Sequence, residues 1–224
     1  MNKDNIYNSA IFSLYSQIII GVICLIGIFI PLKPKDYILH SILMMETIVQ
    51  IIEFIFYYWL VKNIYLIEYD ITYIRYFDWF ITTPTMILSI ILFMIYIKSN
   101  EVIDFMDTIS ENKTTISYIL IFNALMLIFG FLGEIEVLSK YTSFFFGSLF
   151  FVLSFKYIFD NYVDNDETNK IVFYVNLIIW SLYGVAFLLP YSQKNVMYNI
   201  LDIFSKNMNG LLLFLFIIYI NYYV

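Results

Sequence analysis

Long apolar blocks alternate with short polar clusters along the whole chain. Stretches without a charged residue run from Asn5 to Leu32, Trp79 to Ile97, Thr114 to Gly133, Ile171 to Gln193 and Asn207 to Val224. Two more blocks, Ile38 to Val61 and Leu138 to Phe159, are apolar with a few charges inside. A helix needs about 20 apolar residues to cross a bilayer. The pattern therefore predicts an all-α bundle of seven transmembrane helices, near residues 10–31, 38–61, 72–98, 115–133, 138–159, 171–190 and 197–222. Strands of a membrane barrel would alternate over about ten residues, and Ile18-Ile19-Ile20-Gly21-Val22-Ile23 does not alternate. The connecting loops read as short and polar, for example Ser99-Asn100-Glu101 and Asp164-Asn165-Asp166-Glu167. Seven spans in 224 residues leave no room for a soluble domain, so 1–224 reads as a single domain, without internal repeat or low-complexity linker. No basic segment precedes the first block and no small-residue cleavage site follows it, which reads as a retained helix.

Composition agrees. The chain is 62% hydrophobic and 13% charged, with a mean hydropathy of +0.81, where ordinary globular domains carry about 25% charged residues. An aromatic content of 21% excludes disorder. One cysteine, Cys24, excludes a disulfide scaffold, and embedded in an apolar run it reads as a packing side chain. A net charge of −6 argues against a nucleic-acid partner. The expected surroundings are the lipid bilayer, with the chain an integral multi-pass protein. Basic residues near the span ends set orientation. Lys33, Lys35, Lys98, Lys113, Lys156 and Lys170 fall on one side, Lys3, Lys62, Lys140 and Lys194 on the other. That bias favours an outside amino terminus and a cytoplasmic carboxyl terminus. His40 reads as an interfacial polar residue.

Charge inside a membrane is expensive, so each such residue points to function. Six qualify: Glu46 and Glu53 on span 2, Arg75 and Asp78 on span 3, Asp202 and Lys206 on span 7. Arg75 and Asp78 are three apart, Asp202 and Lys206 four, Glu46 and Glu53 seven, so each pair shares a helix face. Thr82 lies one turn beyond Asp78, and Ser89 lies roughly 16 Å from it along the axis. A structural ion-pair network is the plain alternative. Lys206 fits it poorly, because its flanks offer no route to the surface; its ammonium must pair, lose its proton or be modified. A buried lysine amine suits Schiff-base formation, and Asp78 and Asp202 supply counterions for one.

Ile74-Arg75-Tyr76-Phe77-Asp78-Trp79-Phe80-Ile81-Thr82-Thr83-Pro84 resembles the third-helix signature of microbial (type 1) rhodopsins. Leu201-Asp202-Ile203-Phe204-Ser205-Lys206 is similar to their retinal-lysine motif, and Trp180-Ser181-Leu182-Tyr183 to their sixth-helix pattern. The resemblance spans the chain. It implies all-trans retinal held as a protonated Schiff base on Lys206, with Asp78 as primary counterion and proton acceptor, Asp202 as second counterion and Arg75 as the outward-side switch. It implies chromophore contacts from Trp79, Thr83 and Met86 on span 3 and from Trp180, Tyr183 and Phe187 on span 6. By register, Asn123, Met126 and Gly130 on span 4, and Phe144, Gly147 and Ser148 on span 5, join them. Phe187 stands where many members carry tryptophan, and Gly184 where many carry proline. Retinal proteins of this fold are often trimers or pentamers, so a homo-oligomer is an expectation by analogy.

The triplet that sorts this family is Asp78, Thr82 and Ser89. Outward pumps of the bacteriorhodopsin kind have a carboxylic acid at the third position; a serine hydroxyl cannot be an internal acid near neutral pH, so a slow photocycle is expected. Their release carboxylate is replaced by Lys194. Glu46 and Glu53 can line a cation path, as in channel-type rhodopsins. The serine triplet, the short chain and these glutamates together resemble the viral rhodopsins of giant algal viruses. The sequence leans narrowly to a light-driven outward proton pump, a photoreceptor and transporter and not an enzyme, on Arg75, Asp78, Asp202 and Lys206. The alternative is a light-gated cation channel, on Glu46, Glu53, Ser89 and Lys194. A photosensor ranks third, since no basic tail or transducer extension follows span 7.

Overall fold

A computed structural model describes residues 3–163 and 166–223. Seven helical spans follow one another: α1 (Lys3–Gly27), α2 (Ile38–Asn63), α3 (Arg75–Lys98), α4 (Phe105–Glu134), α5 (Lys140–Tyr162), α6 (Glu167–Leu188), and a seventh made of α7 (Tyr191–Asp202) and α8 (Met208–Tyr223) joined by a π turn, Ile203–Asn207. No strand occurs among the described residues. All seven spans are long and apolar enough to cross a membrane. Successive spans run in opposite directions. The amino-terminal face gathers the start of α1, the end of α2 and the start of α3, where Ile6, Ala10, Tyr57, Leu60, Ile64 and Ile71 pack together.

Polarity is inverted relative to a soluble protein. Large apolar side chains such as Phe12, Phe29, Ile55 and Phe145 point outward, where lipid is as good a solvent as a protein core. The interior holds Ser13, Gln17, Gln50, Glu53, Arg75, Asn199, Asp202 and Lys206. On α1 the buried stripe Ile6, Ala10, Ser13, Gln17, Cys24 and Gly27 keeps helical spacing. Cys24 is buried, as a packing side chain should be, and His40 Nε2 lies 2.8 Å from the Ile30 carbonyl.

Helix ends differ from the hydropathy reading. α4 starts at Phe105, ahead of the expected 115, because the Asp104 side chain accepts from the backbone N–H of Met106 and Asp107 at 2.8 and 3.0 Å. α6 starts at Glu167, expected in a loop, because Asp166 caps Asn169 N–H at 2.9 Å; Asp164 and Asn165 lie outside the described residues. α1 begins at Lys3 and ends at Gly27, where an added Cβ would meet Leu43 at 2.6 Å and Phe214 at 2.7 Å. α7 begins at Tyr191, just after Pro190, which places Lys194 inside a helix. Apolarity marks the hydrocarbon slab, whereas capping groups set where helices begin.

Candidate functional site

The site forms where α2, α3, α6 and the π turn meet. Lys206 projects from the π turn, its backbone carbonyl accepting from Gln50 Nε2 at 3.1 Å. Lys206 Nζ donates to Glu53 Oε1, lies 3.1 Å from Asp78 Oδ2 and 3.4 Å from Asp202 Oδ1. Every one of these side chains is buried. Asp202 is held firmly: Tyr57 OH donates to one carboxylate oxygen at 2.5 Å and Tyr183 OH to the other at 2.7 Å. Tyr183 OH also shares a 2.6 Å bond with Ser205 Oγ.

Arg75 lies toward the amino-terminal face, its Nη1 3.5 Å from Asp202 Oδ2. Nε donates to Asn195 Oδ1 at 3.1 Å and Nη2 to Asn199 Oδ1, while the guanidinium stacks 5.1 Å from the Phe56 ring. If all groups are ionised, Glu53, Asp78 and Asp202 contribute −3 against +2 from Arg75 and Lys206, a formal −1. Uncompensated buried charge is costly, so this cluster favours one more positive charge, a proton or a cation.

Lys206 borders a cavity of about 330 Å³, within the ~300–1,000 Å³ of small-molecule sites. Trp79, Trp180, Tyr183 and Phe187 wall it, with Thr83, Met86, Met126, Phe144 and Ser148. Gly130 lets Tyr76 pack closely against α4: an added Cβ would sit 2.6 Å from Tyr76 OH. Rigid aromatic rings around a slot that ends at a buried amine fit a flat apolar carbonyl ligand.

Most of the residues chosen from sequence converge here, with four qualifications. Asn123 does not line the cavity; its Nδ2 donates to Thr83 Oγ1 at 2.8 Å, one layer behind. Thr82 donates to the Asp78 backbone carbonyl at 3.1 Å. Ser89 donates to Glu46 Oε1, and both side chains are buried. Lys194, counted with the lysines near span ends, is buried and ion-paired at 2.7 Å to Glu134.

A family model described as "Bacteriorhodopsin-like protein" matches residues 9–220. The chain belongs to that family. Among solved structures, this rhodopsin is similar to the viral rhodopsin OLPVRII, at 28% identity over 96% of this chain and 98% of that one, TM-score 0.86. It shares its fold with the blue light-absorbing proteorhodopsin from Med12, at 20% identity over 95% and 96%, TM-score 0.74. The proton pumping rhodopsin AR2 from the marine alga Acetabularia acetabulum matches at 16% identity over 94% and 93%, TM-score 0.74. No curated protein matches. The rhodopsin family holds retinal through a lysine Schiff base.

Sequence reading missed the polar residues between the charges. Gln17 lies a turn beyond Ser13, which donates to the Asn199 carbonyl at 2.7 Å. A Cβ added at Gly21, a turn further, would lie 3.5 Å from Gln50 of α2. The Gln17 amide therefore sits between the levels of Asn199 and Gln50, buried. Neither of its polar atoms has a hydrogen-bond partner among the described residues. The same holds for the Asn207 amide, Gln50 Oε1, Glu53 Oε2 and Glu46 Oε2. Single amides inside apolar blocks were the available signal.

Proposed function

We propose that this rhodopsin is a retinal photoprotein in which light opens a cation path along α1, α2 and the seventh span, a light-gated cation channel. One observation carries the reading: a buried polar file, Gln17, Gln50, Glu53, Asn207 and Glu46, whose side chains hold polar atoms without protein partners. Buried polar groups without partners call for water, and a hydrated file edged by carboxylates draws cations.

All-trans retinal on Lys206 Nζ supplies light absorption and a change of shape. Asp78, Asp202 and Glu53 neutralise and orient the cation at Nζ. Tyr57 and Tyr183 fix the position of Asp202, so its charge cannot follow a moving proton freely. Asn195 and Asn199 hold Arg75 across the amino-terminal end of the file, where its charge repels cations. The Ser89–Glu46 bond closes the other end by occupying a carboxylate oxygen. Disturbing Nζ loosens Glu53, the one group that belongs both to the Lys206 cluster and to the file. The sequence alone leans to a pump on Arg75, Asp78, Asp202 and Lys206; the contact of Glu53 with Lys206 favours the channel.

The outward proton pump is the second reading. Asp78 Oδ2, 3.1 Å from Nζ, is placed to take a proton. Glu46, beside Ser89, puts a carboxylate at the level where α3 lacks one.

Gln17→Leu separates the two. It replaces an amide in the file by an apolar side chain of similar size and leaves the chromophore cavity untouched. The expected result is normal colour with loss of the photocurrent. An unchanged photocurrent would overturn the channel path.

A further inference from the structure

At the amino-terminal face a second cavity, of about 460 Å³, is bordered by Asp70, Glu134, Glu136, Lys140, Lys194 and Phe187. Glu134 ends α4, and Lys194 lies in the first turn of α7. Lys194 Nζ donates to both Glu134 carboxylate oxygens, at 2.9 and 2.7 Å, with the two side chains 9% and 4% exposed. Neither residue borders the chromophore cavity. An ion pair this buried adds little net stability, because desolvation offsets the attraction. What it does is fix two helix ends at one separation.

The position of the pair matters more than its strength. The residue after Lys194, Asn195, accepts from Arg75 Nε at 3.1 Å and donates to Thr72 Oγ1 at 2.9 Å. The pair therefore lies one residue along α7 from the asparagine that holds Arg75. Phe187 connects it to the chromophore. The ring borders both cavities and lies 5.6 Å from Lys194 Nζ. Gly133, adjacent to Glu134, packs so closely that an added Cβ would sit 2.9 Å from Phe187 and 2.6 Å from Ser143. Close packing of this kind transmits displacement instead of absorbing it.

We propose that the Glu134–Lys194 pair is the amino-terminal gate of the cation path, sensed through Phe187. Closed, the ammonium sits in the mouth and cancels a carboxylate. Open, Glu134 joins Asp70 and Glu136 to form a carboxylate mouth that concentrates cations. The inference rests on the channel reading above.

The test uses the whole protein with retinal in voltage-clamped cells, comparing wild type, Glu134→Gln, Lys194→Met, and the double exchange Glu134→Lys with Lys194→Glu. Both single variants should keep the absorption maximum and slow channel closing after light-off by about tenfold, the factor that a modest change in barrier makes in a rate. The double exchange, which restores an ion pair, should bring closing back toward wild type. A purely structural pair would instead lower pigment yield and thermal stability while the remaining pigment closes at the normal rate; that result overturns the gate. Wild-type photocurrent with normal closing in both single variants overturns the gate alone. A wild type whose photocurrent never reverses with voltage overturns the channel reading, and the gate with it.

Discussion

Lys206 meets carboxylates from three different helical segments, and the one from α2 distinguishes this site. Asp78 and Asp202 are already enough to balance a cation at Nζ, so Glu53 brings a surplus of negative charge. A carboxylate close to the nitrogen stabilises the chromophore cation when its charge is localised there, and less so after excitation spreads the charge. Glu53→Gln removes one such group and is expected to shift visible absorption to longer wavelength as well as to weaken the photocurrent. Absorption spectra of purified protein with retinal check this, and an unmoved maximum would show that Glu53 does not act on Nζ. Spacing alone placed Glu53 in a cation path; its contact with Lys206 places it at the chromophore nitrogen as well. The expensive residues Arg75, Asp78, Asp202 and Lys206 were legible because a charge in an apolar block has few explanations. Tyr57 and Glu134 were not. Tyrosine is abundant in this chain, and Glu134 acquires its partner only through folding, 60 residues along the chain.

The elements were legible in number and order, since seven apolar blocks of sufficient length became seven spans. Their ends were not, because hydropathy is silent about capping. Asp104 makes the point: its side chain satisfies two free N–H groups at the start of α4, so the helix runs on through Asp107, Glu111 and Lys113 before entering the apolar block. Asp104→Ala is expected to lower stability by about 1 kcal/mol, the usual loss for an N-cap, with colour unchanged. Equilibrium unfolding of the pigment measures it; no change in stability would mean that the first turns of α4 contribute nothing to the fold. The π turn at Ile203–Asn207 was equally hidden, as its residues differ in no obvious way from a regular helix. It matters because it presents Lys206 and Asn207, both buried, from consecutive positions.

At the scale of the molecule, one side of the bundle holds the chromophore cavity, among α3 to α6, and the other the polar file, among α1, α2 and the seventh span. Lys206 borders the first and touches the second through Glu53. In the proposed channel, that arrangement would couple light absorption to an ion path without requiring a proton to cross the bilayer stepwise. Photocurrent recorded against voltage in cells that carry the pigment, with Lys206→Ala as the colourless control, decides between channel and pump. A cation channel gives a current that reverses sign, at a voltage that moves when the external cation concentration is changed. A current of one direction at every voltage, accompanied by light-driven acidification of the medium, would contradict it and establish the pump.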